Sequence, residues 1–456
     1  MSLDAVLSHI DDNLDASLDR LKELLRIESI STDSAYAQSC QEAADWLVDD
    51  LKSIGFDAEK RPTPGHPMVM ANAGSGGTHV LFYGHYDVQP VDPLELWNSA
   101  PFDPQIEDTP NGKVIRARGA ADDKGQLMTF VEACRAWKNV TGNLPNQISV
   151  FFEGEEESGS PSLIPYMKEH KEELKADIAL ICDTGMVDAN TPSITTMLRG
   201  LVGEEITITG PKIDLHSGMF GGPAINPIRI LSKALGDLHD ETGRVTLDGF
   251  YDGVPELPKQ IADQWANMDL DTDAFLNGVG LSVPAGEDGR SVVEQIWSRP
   301  TAEINGIWGG YTGEGFKTVL PSKAHAKVSF RLVGQQDPEK IRAAFRAHIE
   351  SYLPADCNVE FEKHGGSPAS QMAIDDPAFE AARNALTDEW EKEGIYVGCG
   401  GSIPIAGYFQ NIVGIEAMLI GFGQDDDAIH SPNEKYDVRS FHKGIRSWAR
   451  ILAALS

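Results

Sequence analysis

The chain is predicted to be α/β, with a mostly parallel sheet covered by helices on both faces and an α+β block inserted into it. Three observations carry this. Short apolar runs alternate with helical patterns in the first part of the chain. From about residue 197 the strands change to the half-exposed kind, with one apolar and one polar face. After about 372 the helix–strand alternation resumes.

Leu and Ile recur at helical spacing over residues 4–26 and again over 41–54, where Gly55 provides a stop. Strand-like runs follow at 68–72, 79–83, 148–152 and 178–182, with a helical pattern at 124–138. Thr207 and Thr209, among apolar neighbours, read as a strand that leads to a glycine-rich stretch and a helix at 226–238. Residues 324–333 alternate strictly. Ala324, Ala326, Val328, Phe330 and Leu332 share one face, while His325, Lys327, Ser329 and Arg331 share the other. A helix at 338–352 and a strand at 357–363 complete the block. A helix at 376–392, a strand at 415–420 and a helix at 439–454 return to the first domain. The expected division is therefore 1–196 and 373–456 as two parts of one domain, with 197–372 inserted.

At 456 residues the chain exceeds one small core. Its formal charge of −32 argues against nucleic acid and anionic membrane as partners, since both would be repelled. A generally soluble acidic protein explains that charge, as does a saline habitat. The five cysteines, Cys40, Cys134, Cys182, Cys357 and Cys399, are scattered and show no C-x-x-C spacing. This argues against a disulfide framework or a cysteine zinc site. The first dozen residues are acidic, with no signal-peptide pattern, and no stretch approaches the roughly 20 apolar residues of a membrane span. The expected compartment is a reducing cytoplasm.

Metal-binding residue types gather where strands end. Val80–Tyr83 is apolar, Gly84 breaks the run, and His85 and Asp87 follow two residues apart. Asp122 and Asp123 precede a helical pattern; Glu155, Glu156 and Glu157 end one strand, and Asp183 ends another. His430 lies far downstream in an acidic loop. Each acidic cluster alone is equally a solvated turn. Together, behind apolar strands of an open α/β sheet, they point to one site, because ligands gather beyond the carboxyl ends of such strands. Two imidazoles and three carboxylates suffice for two divalent ions if one carboxylate bridges.

Ten stretches resemble the carnosine dipeptidase and aminoacylase family of dinuclear zinc metallopeptidases (clan MH), its cytosolic non-specific dipeptidase branch above all. They are GHYDVQP (84–90), GAADDKG (119–125), EGEEESGS (153–160), ICDTG (181–185), LHSGMFGG (215–222), KTVLPSK (317–323), FRLV (330–333), HGGSP (364–368), GGSIP (400–404) and HSPNEK (430–435). The resemblance implies that Asp122 bridges two metals, with His85 and Asp183 on one and Glu157 and His430 on the other. It implies Asp87 as the residue that orients His85, Glu156 as general base, and a cis bond between Asp122 and Asp123. The implied ions are zinc first, with manganese or cobalt as alternatives. The inserted block becomes a lid and dimerisation domain, and the protein a homodimer.

His216, by itself a surface-loop residue, is implied to reach across the dimer to stabilise the oxyanion. Thr318 and Arg331 are implied to grip the substrate's terminal carboxylate, although Arg331 equally reads as an exposed strand charge. Ser402 and His364 are the remaining substrate-binding candidates. Cys399 has no base partner and reads as a packing residue. The implied reaction is hydrolysis of dipeptides or very short peptides bearing a free terminal carboxylate. An N-acyl-amino-acid amidohydrolase using the same site is the alternative. A two-metal phosphodiesterase should show basic groups for phosphate, and a non-catalytic binding protein should have lost the base or a ligand.

Overall fold

The computed structural model describes residues 2–268, 272–401 and 403–456. The chain forms two compact units. One comprises 1–196, 372–396 and 408–456; the other comprises 197–371 and 397–407.

The first unit is built on a mixed sheet. Its order is Asp57–Arg61, Met68–Ala73, Gln147–Glu153, His79–His85, Ile178–Ile181, Ala417–Leu419 and Ser193–Leu198. The four strands from Gln147–Glu153 to Ala417–Leu419 are mutually parallel, and the first two pairs and the last pair are antiparallel. The parallel strands are buried almost throughout, as their continuous apolar runs require. Adjacent residues of His79–His85 show how both faces are covered. Phe82 stacks on Phe130, with ring centroids 3.8 Å apart, and meets Trp448 edge-on. Those rings come from the Lys124–Thr141 and Val438–Ala454 helices. Tyr83 points the other way, to Phe409 in the π-helical turn Phe409–Val413.

Helix starts follow local chemistry. Asn226-Pro227, Asp337-Pro338 and Asp376-Pro377 each place a capping side chain before a proline at the first helical position. Each cap accepts a hydrogen bond from a main-chain N–H of the first turn. The helix expected over 4–26 is instead two, Leu3–Asp12 and Leu14–Leu25. They break at Asn13, whose side-chain amide donates to the His9 carbonyl at 2.8 Å and so competes with the helical ladder.

The second unit centres on a four-stranded antiparallel sheet, ordered Thr301–Gly309, Lys323–Leu332, Gly200–Thr209 and Asn358–Ser367. The alternation in Lys323–Leu332 has the expected effect: Ala324, Ala326, Val328, Phe330 and Leu332 are all buried. They form one core with the Pro227–Gly236 and Pro338–Ser351 helices. Residues 397–407 group with this unit, whereas the sequence reading assigns them to 373–456. The reason is local. The Arg199 main-chain N–H donates to the Gly401 carbonyl at 3.2 Å, and its Nε donates to the Gly400 carbonyl at 3.0 Å.

The aromatic stack beneath His85 makes a stability test. Phe130→Ala should cost about 3–5 kcal/mol in urea unfolding, through lost burial and the cavity left behind. Activity per folded molecule should survive, because the ring packs on Phe82 and Trp448 in the core.

Candidate metal centre

Parallel pairing brings the first ligands together. His85 ends its strand in register with Glu153, so the chain leaving Glu153 carries Glu156 and Glu157 past the same sheet edge. Asp183 follows the Ile178–Ile181 strand on the other side of His79–His85. Asp122 comes from the loop before the Lys124–Thr141 helix, and its bond to Asp123 is cis.

His430 arrives by a different route. The Lys435–Asp437 strand pairs with Gly112–Arg116, in a three-stranded sheet completed by Gln105–Thr109. That sheet sets the downstream loop beside the 118–122 segment. Glu434, fully buried, then ties the two. Its carboxylate accepts main-chain N–H bonds from Gly119 (3.0 Å), Ala121 (2.9 Å) and Asp122 (3.1 Å), and pairs with buried Arg118 at 2.7 Å. Arg118 also donates to the Pro90 carbonyl at 3.1 Å.

At the centre, the two oxygens of Asp122 divide between two imidazoles. Oδ1 lies 3.1 Å from His85 Nε2 and Oδ2 lies 2.9 Å from His430 Nε2. His85, Asp122 and Asp183 form one group of potential ligand atoms, all within 4.8 Å of one another. Asp122, Glu157 and His430 form a second on the same criterion, so the two groups share Asp122. Burial opposes ionisation of Asp122, but hydrogen bonds from the two imidazoles hold its carboxyl well below the usual range. For His85, burial disfavours the charged ring, and the Asp122 and Asp87 carboxylates outweigh it.

Asp87 supports both sides. The His85 Nδ1 lies 3.1 Å from the Asp87 main-chain carbonyl and 3.5 Å from its carboxylate. The ring is thus oriented chiefly by the peptide, which leaves Nε2 as the free ligand atom. The Asp87 carboxylate itself accepts the N–H groups of Glu156 (3.2 Å) and Glu157 (3.0 Å).

Three adjacent glutamates coexist because they point to different partners. Glu155 is buried and structural, accepting from the His66 and Ser162 N–H groups at 2.9 and 3.0 Å. Glu157 lies 3.2 Å from His430 Nε2 and is steadied by Gln89 Nε2 at 2.8 Å. The Glu156 carboxylate accepts no hydrogen bond among the described residues. Burial raises its pKa; His85 opposes the shift and the Glu157 carboxylate adds to it. A carboxylate left unbonded beside two potential cation positions, with a raised pKa, is equipped to take and return a proton.

The remaining candidates lie in the second unit. His216 and Thr318 are neighbours in the ribbon formed by Leu215–His216 and Val319–Leu320. His216 is exposed and accepts from the Gly218 N–H at 3.1 Å; the Thr318 carbonyl accepts from the Ser217 N–H at 3.0 Å. Arg331 is half-buried on Lys323–Leu332, and its side chain makes no hydrogen bond or ion pair among the described residues. His364 is exposed on Asn358–Ser367, 3.5 Å from Glu205 and 4.0 Å from Glu362. Ser402 lies outside the described residues. The acidic group Asp426, Asp427 and Asp437 is a poorer metal candidate, because the Lys435 ammonium lies 2.6, 2.8 and 3.5 Å from them.

Sequence reasoning passed over Glu434, Arg118 and Gln89. Glu434 was visible as a charge within the HSPNEK stretch and Arg118 as one beside GAADDKG, but nothing local couples residues 316 positions apart.

A family model described as Peptidase family M20/M25/M40 matches residues 81–454. The chain is 30% identical over 452 residues to the Cys-Gly metallodipeptidase DUG1 of Candida albicans, covering 94% of this chain and 92% of that protein. It is 29% identical to the human Beta-Ala-His dipeptidase, covering 100% of this chain and 93% of that protein. Among solved structures, a metallo-carboxypeptidase, Sso-CP2 from Sulfolobus solfataricus, superposes with a TM-score of 0.81 at 29% identity, over 96% of this chain and 99% of that one.

Glu434→Gln keeps the volume but removes the charge facing Arg118. It should cost about 3–5 kcal/mol, as a buried cation left unpaired. Metal affinity should fall about 10–100-fold by loosening the Asp122 segment. Urea unfolding and competition with a graded chelator would measure the two effects separately.

Proposed function

The chain belongs to peptidase family M20/M25/M40, and on that premise we propose that it hydrolyses dipeptides or very short peptides at a two-metal centre. The observation that carries the proposal is the split of the Asp122 carboxylate between His85 and His430, the arrangement expected of a bridging ligand. His85 and Asp183 would complete one cation site, and Glu157 and His430 the other. Nitrogen and oxygen donors without thiolate fit zinc first, and also manganese or cobalt. Bound there, two divalent ions polarise the scissile carbonyl and acidify a water.

The chain's own residues supply the rest. Glu156 takes the proton from the attacking water and returns it to the leaving amine. Asp87 fixes the turn that carries Glu156 and Glu157. His216 donates to the developing oxyanion. Thr318, Arg331, Ser402 and His364 receive the substrate, with the Arg331 fork on its terminal carboxylate. The similar Candida and human proteins are named for dipeptides, and this supports dipeptides over longer chains.

A homodimer is supported by the second unit's surface. Thr301–Gly309 is an edge strand, and it exposes Ile304, Ile307 and Trp308. A second copy of the chain laid against this edge would cover them. None of the five cysteines is in a disulfide, as suits a reducing cytoplasm. No helix among the described residues is long and apolar enough to cross a membrane.

Two experiments test the proposal. Glu156→Gln should lower kcat at least about 100-fold while metal per chain stays at the wild-type value. Loss of metal with activity would count against its role as base. The same assays should include an N-acetylated amino acid, because faster turnover of that substrate than of dipeptides would make the protein a deacylase. The second experiment mixes Glu156→Gln and His216→Ala subunits, each inactive alone. A statistical mixture should recover about a quarter of wild-type activity if His216 serves the partner's site. No recovery would place His216 in its own subunit's site or outside catalysis.

A further inference from the structure

The turn that carries Glu156 and Glu157 is closed at its neck by one buried side chain. Glu153, the last residue of the Gln147–Glu153 strand, is fully buried. Its Oε1 accepts from the Ser160 hydroxyl at 2.9 Å, and also from the hydroxyl of Tyr83 on the His79–His85 strand. Glu156 and Glu157 lie between Glu153 and Ser160 in the chain. One carboxyl therefore joins the start of the turn, its end and the strand that delivers His85. Main-chain contacts shape the same neck. The Tyr86 N–H donates to the Glu153 carbonyl at 2.9 Å, and the Ser160 N–H donates to the Glu155 carbonyl at 2.7 Å. A Cβ on Gly154 would come within 2.3 Å of the Tyr86 ring, so glycine is what lets the chain leave the strand here.

The turn ends in a left-handed serine, Ser160 at φ 52°, a conformation that persists only where its surroundings hold it. The bond from its hydroxyl to Glu153 is such a hold. Asp87 grips the middle of the turn through the Glu156 and Glu157 N–H groups, and Glu153 grips its two ends. Burial pushes the Glu153 carboxyl up to about 8; the hydrogen bonds from Tyr83 and Ser160 oppose this, and the Asp87 and Glu156 charges add to it. A carboxyl near neutrality brings little further negative charge to the turn, so its contribution lies in the two hydrogen bonds it accepts.

We propose that Glu153 is a positioning residue for the hydrolysis: by tying Ser160 to Tyr83 it closes the 153–160 turn and fixes the direction in which the Glu156 carboxylate points. The inference rests on the reading of Glu156 as general base. Glu153 acts through the turn, and Ser160 and Tyr83 are the two arms of the clasp.

Dipeptide kinetics at saturating metal and hydrogen exchange on the full chain test this, using Glu153→Ala, Glu153→Gln, Ser160→Ala and the double variant of Glu153→Ala with Ser160→Ala. Glu153→Ala should lower kcat about 10-fold or more with KM within about twofold, because the base is misdirected while substrate binding is spared. Glu153→Gln keeps an acceptor for both hydroxyls in a side chain of the same size, so its kcat should stay within about threefold of wild type. Ser160→Ala should lower kcat about threefold or more, and should add little to Glu153→Ala, since both remove the same bond. Amide exchange across residues 154–160 should quicken about 10-fold in Glu153→Ala and stay near the wild-type rate in Glu153→Gln. If Glu153→Ala fails to fold, Ser160→Ala carries both readouts. An unchanged kcat in Ser160→Ala, or equal losses in Glu153→Gln and Glu153→Ala, would overturn the proposal. Glu156→Gln, run alongside, separates the two readings: full activity in that variant sinks the base assignment, whereas the exchange rates report the clasp without reference to activity.

Discussion

The metal centre depends on one buried carboxylate that is not itself a ligand. Glu434 gathers three main-chain N–H groups from residues 119–122 and neutralises Arg118, all in the interior. Together with the pairing of Lys435–Asp437, it holds the loop of His430, the last candidate ligand in the chain, to the loop of Asp122. Burial pushes the Glu434 carboxyl up to about 7, while Arg118 and the N–H groups of Ala121 and Gly119 pull the other way and favour the anion.

The rest of the centre follows the same pattern, with one layer of carboxylates holding another. Asp87 holds the peptide groups of Glu156 and Glu157, its carbonyl holds the ring of His85, and Glu155 secures the turn behind them. The Glu156 carboxylate is thereby left without a hydrogen bond among the described residues. The acidity that made the cluster look like solvated surface is the condition for binding two cations, and division of labour among the carboxylates keeps it tolerable.

The second unit carries arginines on the polar face of its sheet. Its sheet turns one face to an apolar core, which leaves the polar residues of the Lys323–Leu332 strand on the other. Arg331 stands there without a protein partner among the described residues, and Arg199 lies beside it.

Much was legible in the sequence because its causes are local. The alternation at 324–333 requires a strand with one buried face, and cap-plus-proline pairs such as Asp337-Pro338 start helices through their own atoms. The polar residues His85, Asp87, Asp122, Glu157, Asp183 and His430 were legible as ligand types or supports at strand ends, together with a family resemblance. Three things were not. The Gln105–Thr109, Gly112–Arg116 and Lys435–Asp437 sheet arises from pairing across more than 300 positions, and short polar strands carry no strong periodic signal. The assignment of 397–407 to the second unit turns on hydrogen bonds from Arg199. The roles within Glu155–Glu157 depend on which N–H or imidazole each carboxylate meets. Local propensity and pattern determined the elements and the chemical character of the site. Which charge neutralises which was decided by tertiary structure, because electrostatic pairing acts through space and burial rather than along the chain.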